Sequence, residues 1–112
     1  MNRERKRLLC YLEKLCGDVF KLLPMKEEEI NNGLDNHINE HIEWLLINLQ
    51  GAMDTFPELG EEKSVIYILN NLQYIHTHDV GFKKWRKFIL DSTHEIDTLY
   101  VNYGGVKNGA SE

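Results

Sequence analysis

Residues 3–23 read RERKRLLCYLEKLCGDVFKLL, and the fold class follows from the spacing inside that run. Leu8, Leu12, Leu15, Val19 and Leu22 recur every three or four positions, flanked by Leu9, Cys16, Phe20 and Leu23. At about 3.6 residues per turn, these positions share one broad face of an amphipathic α-helix. Pro24 comes next. It lacks an amide donor and pushes Leu23 away from helical geometry, so the spacing predicts a helix over residues 3–23 that stops there.

The same period returns three times. Leu34, Ile38, Ile42, Leu45, Leu49 and Met53, broadened by Leu46 and Ala52, predict a second helix that starts near Gly33 or Leu34 and runs over residues 34–55, before Pro57 and Gly60. Glu61 and Glu62 open a third over residues 61–77, where carboxylates suit the positive end of the helix dipole. Its core face is Val65, Ile68, Leu69, Leu72 and Ile75. Phe82, Trp85, Ile89, Ile96, Leu99 and Tyr103 mark a fourth over residues 81–103, with polar Ser92 filling the one gap in the run. The links over residues 24–33, 54–60 and 78–81 are short, which makes consecutive helices antiparallel neighbours. The expected fold is all-α: an antiparallel, up-down-up-down four-helix bundle over residues 1–103. A three-helix core with one displaced helix would give the same pattern. Residues 104–112 hold three glycines and little to bury, and are expected to be a flexible tail.

A chain of 112 residues is one folding unit, and 42% apolar with 28% charged residues describes a globular one. No stretch reaches the roughly 20 apolar residues of a membrane span. The basic start (Arg3, Arg5, Lys6, Arg7) runs into Glu13, Lys14 and Asp18, which is not the pattern of an export signal. A soluble, cytoplasmic protein is expected. Cys10 and Cys16 lie six apart in one helix, which turns them about 240° from each other and separates them by roughly 9 Å. They cannot pair within it, and they suit a reducing compartment as small core or half-buried residues.

Charge is distributed unevenly. Residues 1–26 carry seven Lys or Arg against three acids, whereas residues 27–62 carry ten acids and no Lys or Arg: Glu27, Glu28, Glu29, Asp35, Glu40, Glu43, Asp54, Glu58, Glu61 and Glu62. A one-sign block repels nucleic acid and anionic membrane and speeds encounter with a basic protein, so these ten are the candidate partner-binding residues. Their plainer role is to solvate the outside of the second helix and its loops. The basic cluster at the chain start, and Lys83, Lys84, Arg86 and Lys87 around Trp85, are of the type that touches phosphates. With no recognition-helix motif and a net charge of −5, direct nucleic-acid binding is not expected.

His37-Ile38-Asn39-Glu40-His41 matches the H-x-x-E-H pattern in which two helical histidines hold zinc and the glutamate activates water. A small bundle has little room for the third ligand and the substrate cleft, so the residues are expected to be exposed or capping, with no metal or other cofactor. Across an antiparallel pair, His37 and His41 fall at about the height of His76 and His78, a geometry that could gather four imidazoles into a metal site or a pH-sensitive patch. His94 stands apart. Trp44, Trp85, Tyr67, Tyr74, Tyr100 and Tyr103 are expected at the edges of the core, and any exposed one would serve as a binding anchor. No phosphate loop or nucleophile elbow is present, and no catalytic residues are expected.

A small acidic helical bundle with the one-sign segment 27–62 resembles the immunity proteins of bacterial toxin systems, of the contact-dependent growth inhibition and colicin types. The resemblance implies an acidic plug that covers the basic substrate-binding surface of a cognate toxin, often a nuclease domain. The alternative is a structural or adaptor bundle that self-associates, a homodimer among its forms, with its acids serving solubility.

Overall fold

The computed structural model describes residues 3–33 and 35–106. Five α-helices and one 3-10 turn follow in order: α1 (Arg3–Phe20), α2 (Leu22–Asn32), α3 (Ile38–Thr55), the 3-10 turn Pro57–Glu61, α4 (Lys63–Thr77) and α5 (Phe82–Asn102). Among the described residues the secondary structure is all helical, as the spacing predicts.

Pro24 does not stop the first helix. Lys21 remains in helical conformation (φ −56, ψ −26); its amide donates to the Gly17 carbonyl at 3.1 Å and its carbonyl accepts from Met25 at 3.1 Å. The chain bends and goes on helically to Asn32, so the expected connection over residues 24–33 is α2. The physical reason is position. Pro24 falls in the first turn of α2, where an amide has no intrahelical acceptor and the fixed φ of proline is already suitable. The bent helix ends instead at Gly33, whose left-handed φ of 65 lets its amide return to the Glu29 carbonyl at 2.9 Å.

Two further boundaries move. The helix expected from Gly33 or Leu34 begins at Ile38, after His37 in left-handed conformation (φ 62), and Leu34 lies outside the described residues. Glu61 closes the 3-10 turn and Glu62 precedes α4, so neither acid is inside the helix they were expected to open. Of the expected tail, residues 107–112 lie outside the described residues, while Gly104 and Gly105 close α5. Gly104 (φ 99) donates to the Val101 carbonyl at 3.0 Å and Gly105 to that of Tyr100 at 2.8 Å.

Cross-contacts set the directions. The Arg5 guanidinium donates to the Tyr103 carbonyl (3.2 Å) and the Trp85 indole to that of Leu22 (3.2 Å), so the α1–α2 arm and α5 run antiparallel. His41 near Asp18, and Phe56 beside Tyr11, set α3 antiparallel to α1; Ser64 bonding to Glu95 does the same for α4 and α5. The α1–α2 arm, α3, α4 and α5 therefore form an up-down-up-down bundle in which α5 packs on α1 and α4, α3 packs on α4, and bent α2 lies against α3 and α5. Most of the shared core comes from the positions the spacing selects, among them Leu12, Leu22, Ile42, Leu45, Leu49, Ile68 and Ile96, all fully buried; Leu59 joins it from the expected link, while Met53, Leu69, Phe82 and Tyr103 are only partly buried. Ser92 fills the gap in the α5 run and is itself buried.

Candidate protein-binding face

Folding divides the ten acids into two groups. Glu27, Glu28 and Glu29 ride on α2, Asp35 on the loop, and Glu40 and Glu43 on the start of α3. Asp54 ends α3, and Glu58, Glu61 and Glu62 lie on or beside the 3-10 turn. Eleven residues of helix, about 16 Å, separate Glu43 from Asp54. One continuous acidic face, as the linear block suggests, is not what the fold builds.

Several of these carboxylates are engaged. Glu29 pairs with Lys26 at 3.1 Å; Asp35 accepts the His37 backbone amide at 2.9 Å; Glu62 accepts the Tyr103 hydroxyl at 2.8 Å. Partial burial, and then that bond to Glu62, push the Tyr103 phenol up to about 12. The Asp54–Glu62 group is also met by base from α1: Arg5 and Arg7 line one cavity of about 320 Å³ with Thr55, Phe56, Pro57 and Glu58. The antiparallel return of the chain brings its basic start against its acidic turn, and the two fields offset each other there.

What remains uncompensated is the outer side of α3. Glu40, Glu43, Trp44 and Ile47 recur at helical spacing on the side away from buried Ile38, Ile42, Leu45 and Leu49, and all four are exposed. Ile47 is 72% exposed and Trp44 42%, so two large apolar side chains three residues apart share this face with the carboxylates. Among the described residues, Glu40 and Glu43 meet imidazoles and no Lys or Arg: His37 Nδ1 lies 2.7 Å from Glu40, and His76 Nε2 3.9 Å from Glu43. The Lys14 ammonium lies over the Trp44 ring at 5.9 Å, at the edge of the face toward α1.

The histidines do not converge. His41 donates from Nε2 to the Asp18 carbonyl at 3.0 Å and stacks on Trp44 with ring centres 5.8 Å apart, while His37 turns to Glu40. His78 stacks on Tyr74 at 4.1 Å and His76 reaches Glu43; these two line one pocket with Asp35 and Glu40, which neither His37 nor His41 lines. Among the described residues no group of three or more His, Cys, Asp or Glu is placed to hold a metal ion. The H-x-x-E-H pattern thus serves as a local helix-start pairing and a tie between α3 and α1. Cys10 is exposed, and the Cys16 thiol lies 3.6 Å from an Asp97 carboxylate oxygen across the α1–α5 seam.

The aromatics separate as well. Trp85 is buried, Tyr100 and Tyr103 are half-buried, and Trp44, Tyr67 and Tyr74 are exposed. The sequence carries a signal for the α3 pair: Trp44 and Ile47 fall off the stripe formed by Ile38, Ile42, Leu45 and Leu49. Among the described residues no helix is long and apolar enough to cross a membrane. Comparison with protein-family models, with curated proteins and with solved structures gives no match.

Proposed function

We propose that this protein is an acidic, non-catalytic inhibitor of the immunity type, which binds a basic cognate toxin, a nuclease domain in the leading form, and covers its substrate-binding surface in the cytoplasm. The observation that carries this reading is the outer side of α3, where Glu40 and Glu43 flank exposed Trp44 and Ile47. The carboxylates stand where phosphates of a nucleic acid would sit against Lys and Arg of the partner. Trp44 and Ile47 supply the desolvated centre that slows dissociation, a task charge alone performs poorly. Glu27, Glu28 and Asp35, at the same end of the bundle, add to long-range steering; Asp54, Glu58, Glu61 and Glu62 contribute less, because α1 offsets them.

The test is capture of partners by the tagged protein at low and at high salt, with mass spectrometry, followed by assay of any basic toxin or nuclease recovered. The reading expects the partner's activity to disappear on binding. It also expects E40K/E43K to slow association roughly tenfold or more and to flatten its salt dependence, with Trp44→Ala raising the dissociation rate instead. A recovered partner that keeps full activity when bound, or an association rate that E40K/E43K leaves unchanged, would overturn it.

A further inference from the structure

A second exposed surface lies along the α4–α5 seam, and its chemistry is the complement of the α3 face. Tyr67 and Tyr74 stand out from α4. Tyr74 is held between neighbours: His78 stacks on it at 4.1 Å, Phe88 meets it edge-on at 5.9 Å, and the Lys84 ammonium lies over its ring at 5.5 Å. The first turns of α5 present exposed Lys83, Lys84 and Lys87 beside it, while Arg86, two residues from Lys84, is exposed on the other side of the helix. Lys87 pairs with Asp91 at 2.8 Å; among the described residues Lys83 and Lys84 have no carboxylate partner. Aromatic groups already fixed by their neighbours lose little freedom on binding, which makes this a prepared surface.

One molecule cannot satisfy its own faces. Helix α5 has α1 and α4 beside it, and α3 has α4 and α2, so α3 and α5 stand diagonally in the bundle and their outer sides point apart. We propose that the α4–α5 face is a docking site for the α3 face of a second copy of this chain. Glu40 and Glu43 would meet Lys83 and Lys84, and Trp44 and Ile47 would pack on Tyr67 and Tyr74. The contact joins two different faces on opposite sides of the molecule, so it is heterologous and extends into open chains instead of closing as a two-fold dimer. The net charge of −5 per copy opposes approach at long range. At physiological ionic strength that repulsion is screened beyond about 8 Å, while groups in contact keep their attraction. The proposal stands without the inhibitor reading; if both hold, a basic toxin competes with the second copy for α3.

Sedimentation equilibrium of the pure protein at physiological salt tests it, with no partner present. The weight-average mass is expected to rise past twice 13.2 kDa as concentration passes the order of 100 µM, the range of a small, polar, reversible interface. E40K/E43K alone and K83E/K84E alone should each stay monomeric at that concentration. An equimolar mixture of the two should associate, because the first retains the basic face and the second retains the acidic one. Recovery in the mixture also shows both variants to be folded, and carboxylates in the first turn of α5 suit its dipole. A wild-type mass that stays monomeric to about ten times that concentration, or one that stops at the dimer, overturns the proposal. So does a mixture that fails to associate, or association unaffected by either pair of reversals.

Discussion

Trp85 is where the bent arm is fastened to the bundle, and replacing it measures how much of the fold depends on that bend. Its side chain is 3% exposed, its indole donates to the Leu22 carbonyl at 3.2 Å, and the Lys26 ammonium lies 4.9 Å above its ring. Trp85→Phe keeps an aromatic ring but removes the indole N–H and part of the packed surface, which costs roughly 1–3 kcal/mol. Trp85→Ala leaves a cavity between α2 and α5 and costs about 3–5 kcal/mol. A chain of 112 residues has an unfolding entropy near 0.24 kcal/mol/K, so each kcal/mol lowers Tm by about 4 °C. The losses become about 4–12 °C for Trp85→Phe and about 12–20 °C for Trp85→Ala, read by far-ultraviolet circular dichroism melts. Trp44→Phe is the control, since Trp44 is 42% exposed and among the described residues its ring meets the His41 ring and the Lys14 ammonium. It should melt within a few degrees of wild type, and the indole that remains, Trp85, should emit at shorter wavelength than Trp44 does in Trp85→Phe. Equal melting losses for Trp85→Phe and Trp44→Phe, or an unshifted emission, would refute the assignment of one tryptophan to the core and the other to the surface.

Gly33 should resist replacement for a purely conformational reason. A Cβ there would meet no atom within 4 Å, yet φ is 65, so Gly33→Ala is expected to lose roughly 1–2 kcal/mol in urea unfolding and Gly33→Asn less; equal losses for the two would count against the left-handed cap. Alkali should destabilise the fold through tyrosine. Tyr103 ionises at about 12 in the native state against about 10 when unfolded, because partial burial and Glu62 disfavour its phenolate, and burial together with Asp18 raises Tyr11 as well. A raised folded value means that this stability is complete below about pH 10 and is lost as pH climbs through 12. Melts across that window should show Tyr103→Phe declining less steeply than wild type; identical slopes would remove Tyr103 from the alkaline transition.

The sequence by itself determined most of the core, though not Leu59, which is fully buried in a stretch the spacing marks as a link. The three-and-four spacing of α1, α3, α4 and α5 is a local property, set by the helix period and the demand that one side leave water, and Leu12, Ile42, Ile68 and Ile96 are buried where that spacing puts them. Even Ser92 keeps its place in the pattern, because position along the helix and not polarity decides what faces inward. Pro24 was harder to read, since the same residue ends a helix or sits in the first turn of the next. Only the packing of Leu22 and Leu23 into the core, with the Trp85 bond to the Leu22 carbonyl, makes the second outcome the stable one here. The charge pattern shows the wider limit. Ten acids in succession along residues 27–62 look like one field, but a field exists in space, and helix direction decides which charges become neighbours. The antiparallel return of the chain placed Arg5 and Arg7 beside Glu58 and left Glu40 and Glu43 with imidazoles and exposed Trp44 and Ile47. The tertiary structure alone made that choice, because screening and pairing act over a few ångströms between residues that are far apart in the chain.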